Sequence, residues 1–295
     1  MTAVRPLHAV SAPRPHQPAE EPLGPRLIGV GIHDVVHDRA TLEWAVADAT
    51  PGRDQVHLVH AYVPLRLDGC AWPPVSAVRD RRHVAATRVL AQAVQRAHEG
   101  HAGLEVGGSA IGGLPDDVLI ELSHVVDLLV IGDDSHDPLI ARKITTRVQD
   151  HAHCPLVCVP RDYFPPPEPR PVTVVADERG LLEPVLAFAA ALARRGGVGL
   201  QVSRAWSSLH EGRVSGPGWL AEQQEELDLQ LAGWRATHPD VAVAARLELG
   251  YSWLDRLRAA SSVLVTSTRS VDLVRSPSDP VHSCPVAIVP EGAAL

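Results

Sequence analysis

The sequence predicts an α/β protein made of two tandem domains, each built on a five-stranded parallel sheet of the Rossmann-like type. Apolar runs suited to buried strands alternate with helical patterns from about residue 26 onward, and this alternation is typical of a parallel sheet covered by helices. The segment HAHCPLVCVP at His151–Pro160 is also repeated as VHSCPVAIVP at Val281–Pro290. Each half of the chain therefore ends on the same Cys-Pro-strand pattern, and we infer that one domain occurs twice by tandem duplication.

Length and composition allow two domains and exclude several classes of function. The chain has 295 residues, of which 45% are hydrophobic, so each half can bury a core of its own. A net charge of -8 lacks the basic character of nucleic-acid-binding proteins. No apolar run is long enough to cross a bilayer, and the N-terminus lacks the pattern of a signal peptide. We therefore expect a cytoplasmic protein that binds neither nucleic acid nor membrane.

Changes in composition predict four segments. Residues 1–25 are rich in Pro, His and Glu and lack periodic apolar residues, so we expect a disordered tail. The first domain is predicted over residues 26–161 and the second over residues 171–290. Residues 162–170 between them are proline-rich, which favours a stiff and extended linker.

In the first domain, five predicted strands alternate with four predicted helices. The strands are RLIGVGI, QVHLVHAYV, LEVGGSAI, VVDLLVIG and LVCV. The first helix lies in DRATLEWAVADAT, with an apolar face of Leu42, Ala45, Val46 and Ala49. The second runs from about Val75 to His98, with a predicted apolar stripe of Val78, Ala85, Val89, Ala93 and Ala97. The third begins at Pro115, whose following aspartates suit a helix N-terminus, and the fourth runs from about Leu139 to His151.

The second domain repeats this order with weaker patterns. Its predicted strands are PVTVVAD, VGLQVSRAW, VAVAARLEL, SVLVTS and PVAIV. Helices are predicted in LLEPVLAFAAALARR, from about Trp219 to Ala236, and in SWLDRLRAAS. Only a short connection is predicted between the last two strands.

Two polar groupings raise the question of catalysis or metal binding. His151, His153, Cys154 and Cys158 could ligate a metal, but no second Cys/His pair has ligand spacing, and helix-end histidines with buried cysteines account for them. The acidic loop GDDSHD follows the fourth strand, where parallel sheets bind ligands. Its residues 133–137 could act as base and acid, but nothing else in the chain completes a catalytic constellation. We expect no metal and no catalytic residues.

The chain resembles the universal stress protein family. The resembling stretches in the first half are LIGVGI followed by ATLEWAVADA, VHLVHAYVP, VVDLLVIG and VQDHAHCPLVCVP; the second half contributes VTVVADERG, LQVSRAW, SVLVTS and VHSCPVAIVP. The likeness covers about Arg26 to Pro290. It implies two tandem domains of the adenine nucleotide α-hydrolase-like fold, each with strand order 3-2-1-4-5.

The resemblance also implies where a nucleotide would bind. ATP-binding members have an Asp at the end of strand one and the pattern G-x2-G-x9-G-[ST] after strand four. In this sequence the strand-one position aligns with Gly31, the first glycine is present as Gly132, the second falls on Ser135, and the final pair falls on Arg142 and Lys143. In the second half, Asp177 matches the strand-one Asp, but the loop after strand four has no glycine. The candidate nucleotide-binding residues are Gly31, Ala61, Ile131, Gly132, Ser135, Arg142, Lys143, Ile144 and Asp177.

These departures predict that ATP binding is weak or lost, and we expect no other cofactor. Glycine allows a close approach of backbone to phosphate, whereas three loop aspartates, Asp133, Asp134 and Asp137, repel it. We therefore expect a non-enzymatic regulatory or interaction protein of the stress response with an unknown protein partner. Two alternatives stay open: an ATP-binding stress switch that uses the first domain, and a cryptic hydrolase that uses the acidic loop.

The final strands predict how the domains assemble. Edge strands must be covered, and the resembling family pairs such strands between domains. We expect the two halves to dock as an intramolecular pseudo-dimer around these strands, with homodimerisation left open. The predicted interface residues are Leu156, Val157, Val159, Val286 and Ile288.

Overall fold

The computed structural model of the chain describes residues 25–64, 75–133, 138–176, 181, 183–205, 217–248, 252–274 and 284–291. The chain divides into two compact units, Met1–Arg161 and Asp162–Leu295. The predicted tail lies outside the described residues except for its last position.

The first unit contains the five predicted strands and four predicted helices. The strands are β1 (Leu27–Gly31), β2 (Gln55–Tyr62), β3 (Glu105–Gly112), β4 (Leu128–Asp133) and β5 (Leu156–Pro160). The helices are α1 (Arg39–Asp48), α2 (Val75–His98), α3 (Pro115–Ser123) and α4 (Pro138–His151). All strand pairs are parallel, in the order β3-β2-β1-β4-β5. The predicted fold class and strand order are confirmed in this unit.

Helix α1 buries the predicted face, whereas α2 buries a face that differs from the prediction. Leu42, Ala45, Val46 and Ala49 of α1 are all buried. Among the side chains of α2 that the structure describes, Ala86, Leu90, Ala93 and Ala97 are buried, Ala85 is exposed and Val89 is half-buried. The predicted stripe was therefore wrong at Ala85, and the side chain of Val78 lies outside the described residues. Apolar residues lie on both sides of this helix, and the side that packs against the sheet is the one that is buried. On that side, the Cδ2 atom of Leu90 lies 3.3 Å from where a Cβ on Gly108 of β3 would stand.

A buried ionic cluster joins the start of β1 to the turn before β2. Arg26 donates from Nη2 to Asp54 at 2.7 Å and from Nη1 to Asp48 at 3.0 Å. The same oxygen of Asp54, Oδ2, also accepts from the backbone N–H of Thr50 at 2.9 Å, and Oδ1 accepts from the backbone N–H of Arg26 at 3.1 Å. Asp54 is 3% exposed, so this pairing compensates a carboxylate that water cannot solvate.

The second unit repeats the strand order of the first. Its strands are β6 (Val172–Ala176), β7 (Leu200–Ala205), β8 (Val243–Glu248), β9 (Val263–Ser267) and β10 (Val286–Val289). They form the parallel order β8-β7-β6-β9-β10, which is again 3-2-1-4-5 counted within the unit. The helices are α5 (Glu183–Gly196), α6 (Pro217–Thr237) and α7 (Trp253–Ala260).

The two units differ after their fourth strands. The first unit continues into α4, whereas the described residues that follow β9 form a short 3-10 helix, Thr268–Leu273. The Ser267 hydroxyl caps this helix by accepting a hydrogen bond from the backbone N–H of Ser270. None of the described helices in either unit combines the length and the apolar character needed to span a bilayer.

Candidate functional site

The candidate site lies at the carboxyl edge of the sheet in the first unit. In the strand order β3-β2-β1-β4-β5, β2 and β3 lie on one side of β1, and β4 and β5 lie on the other. The strand order therefore reverses between β1 and β4, and open α/β sheets bind ligands at such a switch point. This edge brings together four of the predicted residues: Gly31 at the end of β1, Ala61 in β2, and Ile131 and Gly132 in β4. Ile144 lies half-buried in α4.

Gly31 cannot present a side chain to this edge. A Cβ at Gly31 would lie 3.0 Å from the Cδ2 atom of Leu119 in α3 and 3.4 Å from the Cγ2 atom of Ile131. The position therefore faces the packed interior between sheet and helix. A carboxylate in place of Gly31 would therefore point into that interior.

Asp38 folds back over the end of β1 and accepts its backbone N–H groups. Its Oδ2 atom accepts from the N–H of His33 at 2.6 Å and from the N–H of Asp34 at 2.9 Å. The residue is 7% exposed although it lies at the start of α1. Adjacent backbone N–H groups of this kind are common anion sites. Here the anion they bind is a side chain of the same loop.

The same carboxylate lies against the first glycine of the family pattern. A Cβ at Gly132 would lie 2.9 Å from the Oδ1 atom of Asp38 and 3.1 Å from the Oγ1 atom of Thr41. Gly132 thus provides the close approach that glycine allows, but the group that approaches it is Asp38.

Asp34 organises the rest of this loop. Its Oδ1 atom accepts from the N–H of Val36 at 2.7 Å and from the N–H of His37 at 3.1 Å, and lies 3.0 Å from Nδ1 of the His37 ring. The backbone hydrogen bond from His37, followed by that from Val36, lowers the pKa of Asp34. Asp34 is therefore ionised at neutral pH and adds negative charge near Asp38.

Two imidazoles lie at the same edge. The rings of His33 and His60 are nearly parallel, with centroids 6.1 Å apart. Burial lowers the pKa of His60, and the neighbouring His33 lowers it further. The Nδ1 atom of His60 is buried and has no hydrogen-bond partner among the described residues. A His60 that is neutral at pH 7 does not offset the negative charge of the loop.

The remaining predicted residues of the phosphate loop are only partly described. Ser135 lies outside the described residues, as do Asp134, His136 and Asp137 of the acidic loop. Arg142 and Lys143 lie within helix α4, and Asp133 is exposed at the end of β4. In the second unit, β6 ends at Ala176 and Asp177 lies outside the described residues.

The sequence-based prediction missed the residues that shape this edge: His33, Asp38 and His60. The only local sign was a carboxylate just before an apolar helix, which is an ordinary helix-start pattern. Nothing in the sequence shows that Asp38 turns back toward Gly132, because the contact joins distant segments of the chain.

The grouping of His151, His153, Cys154 and Cys158 is not arranged as a metal site. Cys154 and Cys158 are buried, and burial raises the pKa of Cys154 to about 12. Nδ1 of His151 lies 2.9 Å from the carbonyl oxygen of Arg147, and the ring of His153 stacks on His124 at 3.6 Å. Across the described residues, no group of three or more His, Cys, Asp or Glu side chains has an arrangement that could hold a metal ion.

The residues of the predicted interface lie in β5 and β10. Leu156, Val157 and Val159 are buried, as is Ile288, while Val286 is half-buried.

Comparison with known proteins assigns the first unit to a family. Residues 25–160 match the model of the universal stress protein family. Universal stress protein Rv2623 of Mycobacterium tuberculosis H37Rv is 29% identical over 229 residues, which cover 72% of this chain and 76% of that protein. A universal stress protein of Mycolicibacterium smegmatis is 26% identical over 257 residues, which cover 81% of this chain and 85% of that protein.

Among solved structures, a universal stress protein from Archaeoglobus fulgidus DSM 4304 has a TM-score of 0.56 at 12% identity, covering 90% of this chain and 96% of that one. The cytoplasmic domain of a prokaryotic cation chloride cotransporter has a TM-score of 0.51 at 10% identity, covering 92% and 97%. At these identities the likeness shows the fold alone.

Proposed function

We propose that this chain, which belongs to the universal stress protein family, is a non-enzymatic regulatory or interaction protein of the stress response in which ATP binding has become weak or has been lost. Under this proposal the protein acts by binding other proteins, and its functional form is an intramolecular pseudo-dimer of the two domains. One observation carries it: the Asp38 carboxylate accepts the backbone N–H groups that follow β1 and lies against Gly132, the first glycine of the family pattern.

The position of Asp38 opposes phosphate binding. It uses the N–H groups of His33 and Asp34, so these donors are not available to a ligand. Its Oδ1 atom also lies 2.9 Å from where a Cβ on Gly132 would stand, so the carboxylate occupies the space beside that glycine.

The described thiols support a role without nucleophilic catalysis. Burial raises the pKa of both Cys154 and Cys284 to about 12, so neither side chain forms a thiolate near neutral pH. The thiolate is the nucleophilic form of cysteine. Cys158 is likewise buried, in strand β5.

Titration calorimetry with ATP and Mg²⁺ tests the loss of nucleotide binding. We expect heats no larger than those of dilution at micromolar ATP, with any dissociation constant in the millimolar range. A micromolar dissociation constant that the substitution Gly132→Glu abolishes would contradict the proposal. That result would instead establish the ATP-binding switch in the first domain.

A further inference from the structure

We propose that Ser109 is a reactive hydroxyl of the first unit, which His57 activates as a base and which takes up an acyl group from an activated ester. The two residues lie on strands β3 and β2, away from the candidate nucleotide site at Gly132. The inference concerns covalent modification of the chain and not enzymatic turnover. It therefore goes beyond the proposed function and does not depend on it.

The imidazole of His57 and the hydroxyl of Ser109 lie within hydrogen-bond reach across two strands. The distance between Nε2 of His57 and Oγ of Ser109 is 3.0 Å. In the register of the sheet, His57 pairs with Gly107, and Ser109 pairs with Val59. Residues two apart on a strand point to the same face, so His57 and Ser109 are diagonal neighbours on one face. A base at this distance from a hydroxyl is the arrangement that activates serine nucleophiles.

The position of the His57 ring depends on glycines in the two neighbouring strands. A Cβ at Gly107 would lie 3.4 Å from Nδ1 of His57, so the ring lies across the space in front of that residue. On the other side His57 pairs with Gly29 of β1, where a Cβ would lie 3.0 Å from the Cδ2 atom of Leu122 in α3. Helix packing therefore fills the side toward β1, and the ring extends toward β3 and the hydroxyl of Ser109.

The protonation state of His57 suits a base. Burial lowers the pKa of His57 below its ordinary value of 6.5, so the ring is neutral at pH 7. When the ring proton is on Nδ1, a neutral imidazole accepts at Nε2 the proton that Ser109 donates. A charged imidazole has no free nitrogen for this proton. The geometry and the charge state therefore agree on the same role.

Strand β3 also supplies backbone donors on both sides of Ser109. It is the last strand at this end of the sheet, and the described chain places a neighbour, β2, on one side of it alone. The N–H of Gly113, just after β3, donates to the carbonyl of Tyr62 in β2 at 2.9 Å. Successive N–H groups of a strand alternate in direction, so those of Gly108 and Ala110 point to the open side. We assign to them the oxyanion that forms when a carbonyl carbon is attacked.

The step is an acyl transfer in which the ester is the co-reactant. The Oγ atom of Ser109 forms a bond to the carbonyl carbon of the ester, and Nε2 of His57 accepts the hydroxyl proton. The bond between that carbon and the leaving alcohol oxygen then breaks, and the alcohol takes the proton from His57. Ser109 ends as an ester, and His57 returns to its neutral form.

The first test compares two serines within the parent chain. The full chain is treated with p-nitrophenyl acetate at pH 7, and the acetylated residues are located by peptide mass spectrometry over time. Ser262 is the internal control, because it is half-buried like Ser109 but its hydroxyl donates to the carbonyl of Pro171, which is not a base. We expect Ser109 to be acetylated about ten-fold faster than Ser262 or more. Equal rates at the two serines would overturn the inference.

The second test removes the base. In His57→Gln the amide can still form a hydrogen bond to Ser109 but cannot take its proton, so we expect the rate of acetylation at Ser109 to fall about ten-fold or more. His98→Gln is the matched control, at an exposed ring whose Nδ1 contacts the carbonyl of Val94, and should leave that rate unchanged. Circular dichroism checks that both variants fold.

An unchanged rate in His57→Gln would show that the imidazole does not act on Ser109, and equal losses in the two variants would do the same. If His57→Gln does not fold, the comparison of Ser109 with Ser262 in the parent chain decides the question by itself. Neither measurement reads nucleotide binding, so failure here leaves the proposed function untouched.

Discussion

Asp38 and Asp54 are both buried carboxylates of the first unit, and their surroundings give them different roles. Asp54 pairs with the guanidinium of Arg26, which lies 2.7 Å away, and therefore contributes to stability. Asp38 accepts the backbone N–H groups of His33 and Asp34 and lies against Gly132 at the carboxyl edge of the sheet. At the scale of single residues, the partner of a carboxylate decides what it does.

The pairing of Asp54 predicts a pH-dependent contribution to stability. Burial would raise its pKa, but hydrogen bonds from Arg26 and Thr50 outweigh burial and lower the pKa below the ordinary value of 3.8. Its stabilising effect is therefore complete above pH 3.8 and is lost as the pH falls through the lower value in the folded state. We expect Asp54→Asn to reduce the free energy of unfolding by about 2 kcal/mol at pH 7, since the buried Arg26 then keeps only Asp48 as a carboxylate partner.

Urea denaturation at pH 7 and at pH 3 measures this effect, with Asp240→Asn as the control. Asp240 pairs with Arg194 at an exposed site, so its substitution should leave stability nearly unchanged. A difference between the parent chain and Asp54→Asn that stays constant down to pH 3 would show that the carboxylate is not responsible.

The contact between β4 and the start of α1 shows how the approach of two elements depends on one glycine. The side chains of Asp38 and Thr41 fill the space beside Gly132, where a Cβ would lie 2.9 Å and 3.1 Å from their oxygens. In helix α6, by contrast, a Cβ at Gly233 would meet nothing within 4 Å. The same residue type is therefore required at one element and dispensable at another.

Alanine at these two glycines should have opposite effects. Gly132→Ala should lower the free energy of unfolding by about 1–2 kcal/mol, because the buried Asp38 cannot move away without breaking its hydrogen bonds. Gly233→Ala should raise it by about 0.5–1 kcal/mol, because alanine favours a helix interior. Thermal and urea unfolding check both variants. Stabilisation by Gly132→Ala would show that the space beside β4 is larger than described.

At the scale of the whole molecule, the two units repeat one strand order in separate stretches of the chain. Order 3-2-1-4-5 occurs in both, although the first unit has α4 after its fourth strand and the described part of the second has a 3-10 helix there. The sheet is therefore the same in both units, whereas the described segments after the fourth strand differ.

Docking of the two domains through their final strands remains a prediction of the sequence. We expect Val157→Asp to weaken docking, because it would place an unpaired charge among buried residues. Small-angle scattering should give the curve of two joined domains for the parent chain and a more extended particle for the variant, with circular dichroism confirming that its domains stay folded. Val36→Asp, at a side chain that is 76% exposed, is the control. Scattering from separate, non-contacting domains in the parent chain would refute the prediction.

The sequence by itself determined the elements and their order. Strands such as Leu27–Gly31 and Val263–Ser267 are short apolar runs. In helices such as α1, apolar residues recur at helical spacing and mark the buried face, so local patterns are enough to find these elements. The repeated Cys-Pro endings predicted the repeated strand order in the same way. Parallel strand order followed from the alternation together with the family resemblance.

Only the tertiary structure decided which face of α2 is buried and what occupies the edge of the first sheet. Leu90 packs toward Gly108 because β3 lies there, and Asp38 lies against Gly132 because β4 lies beside β1. Each of these contacts joins residues far apart in the chain. Local periodicity describes the preference of one segment, whereas the environment of a side chain is set by segments that the fold brings next to it.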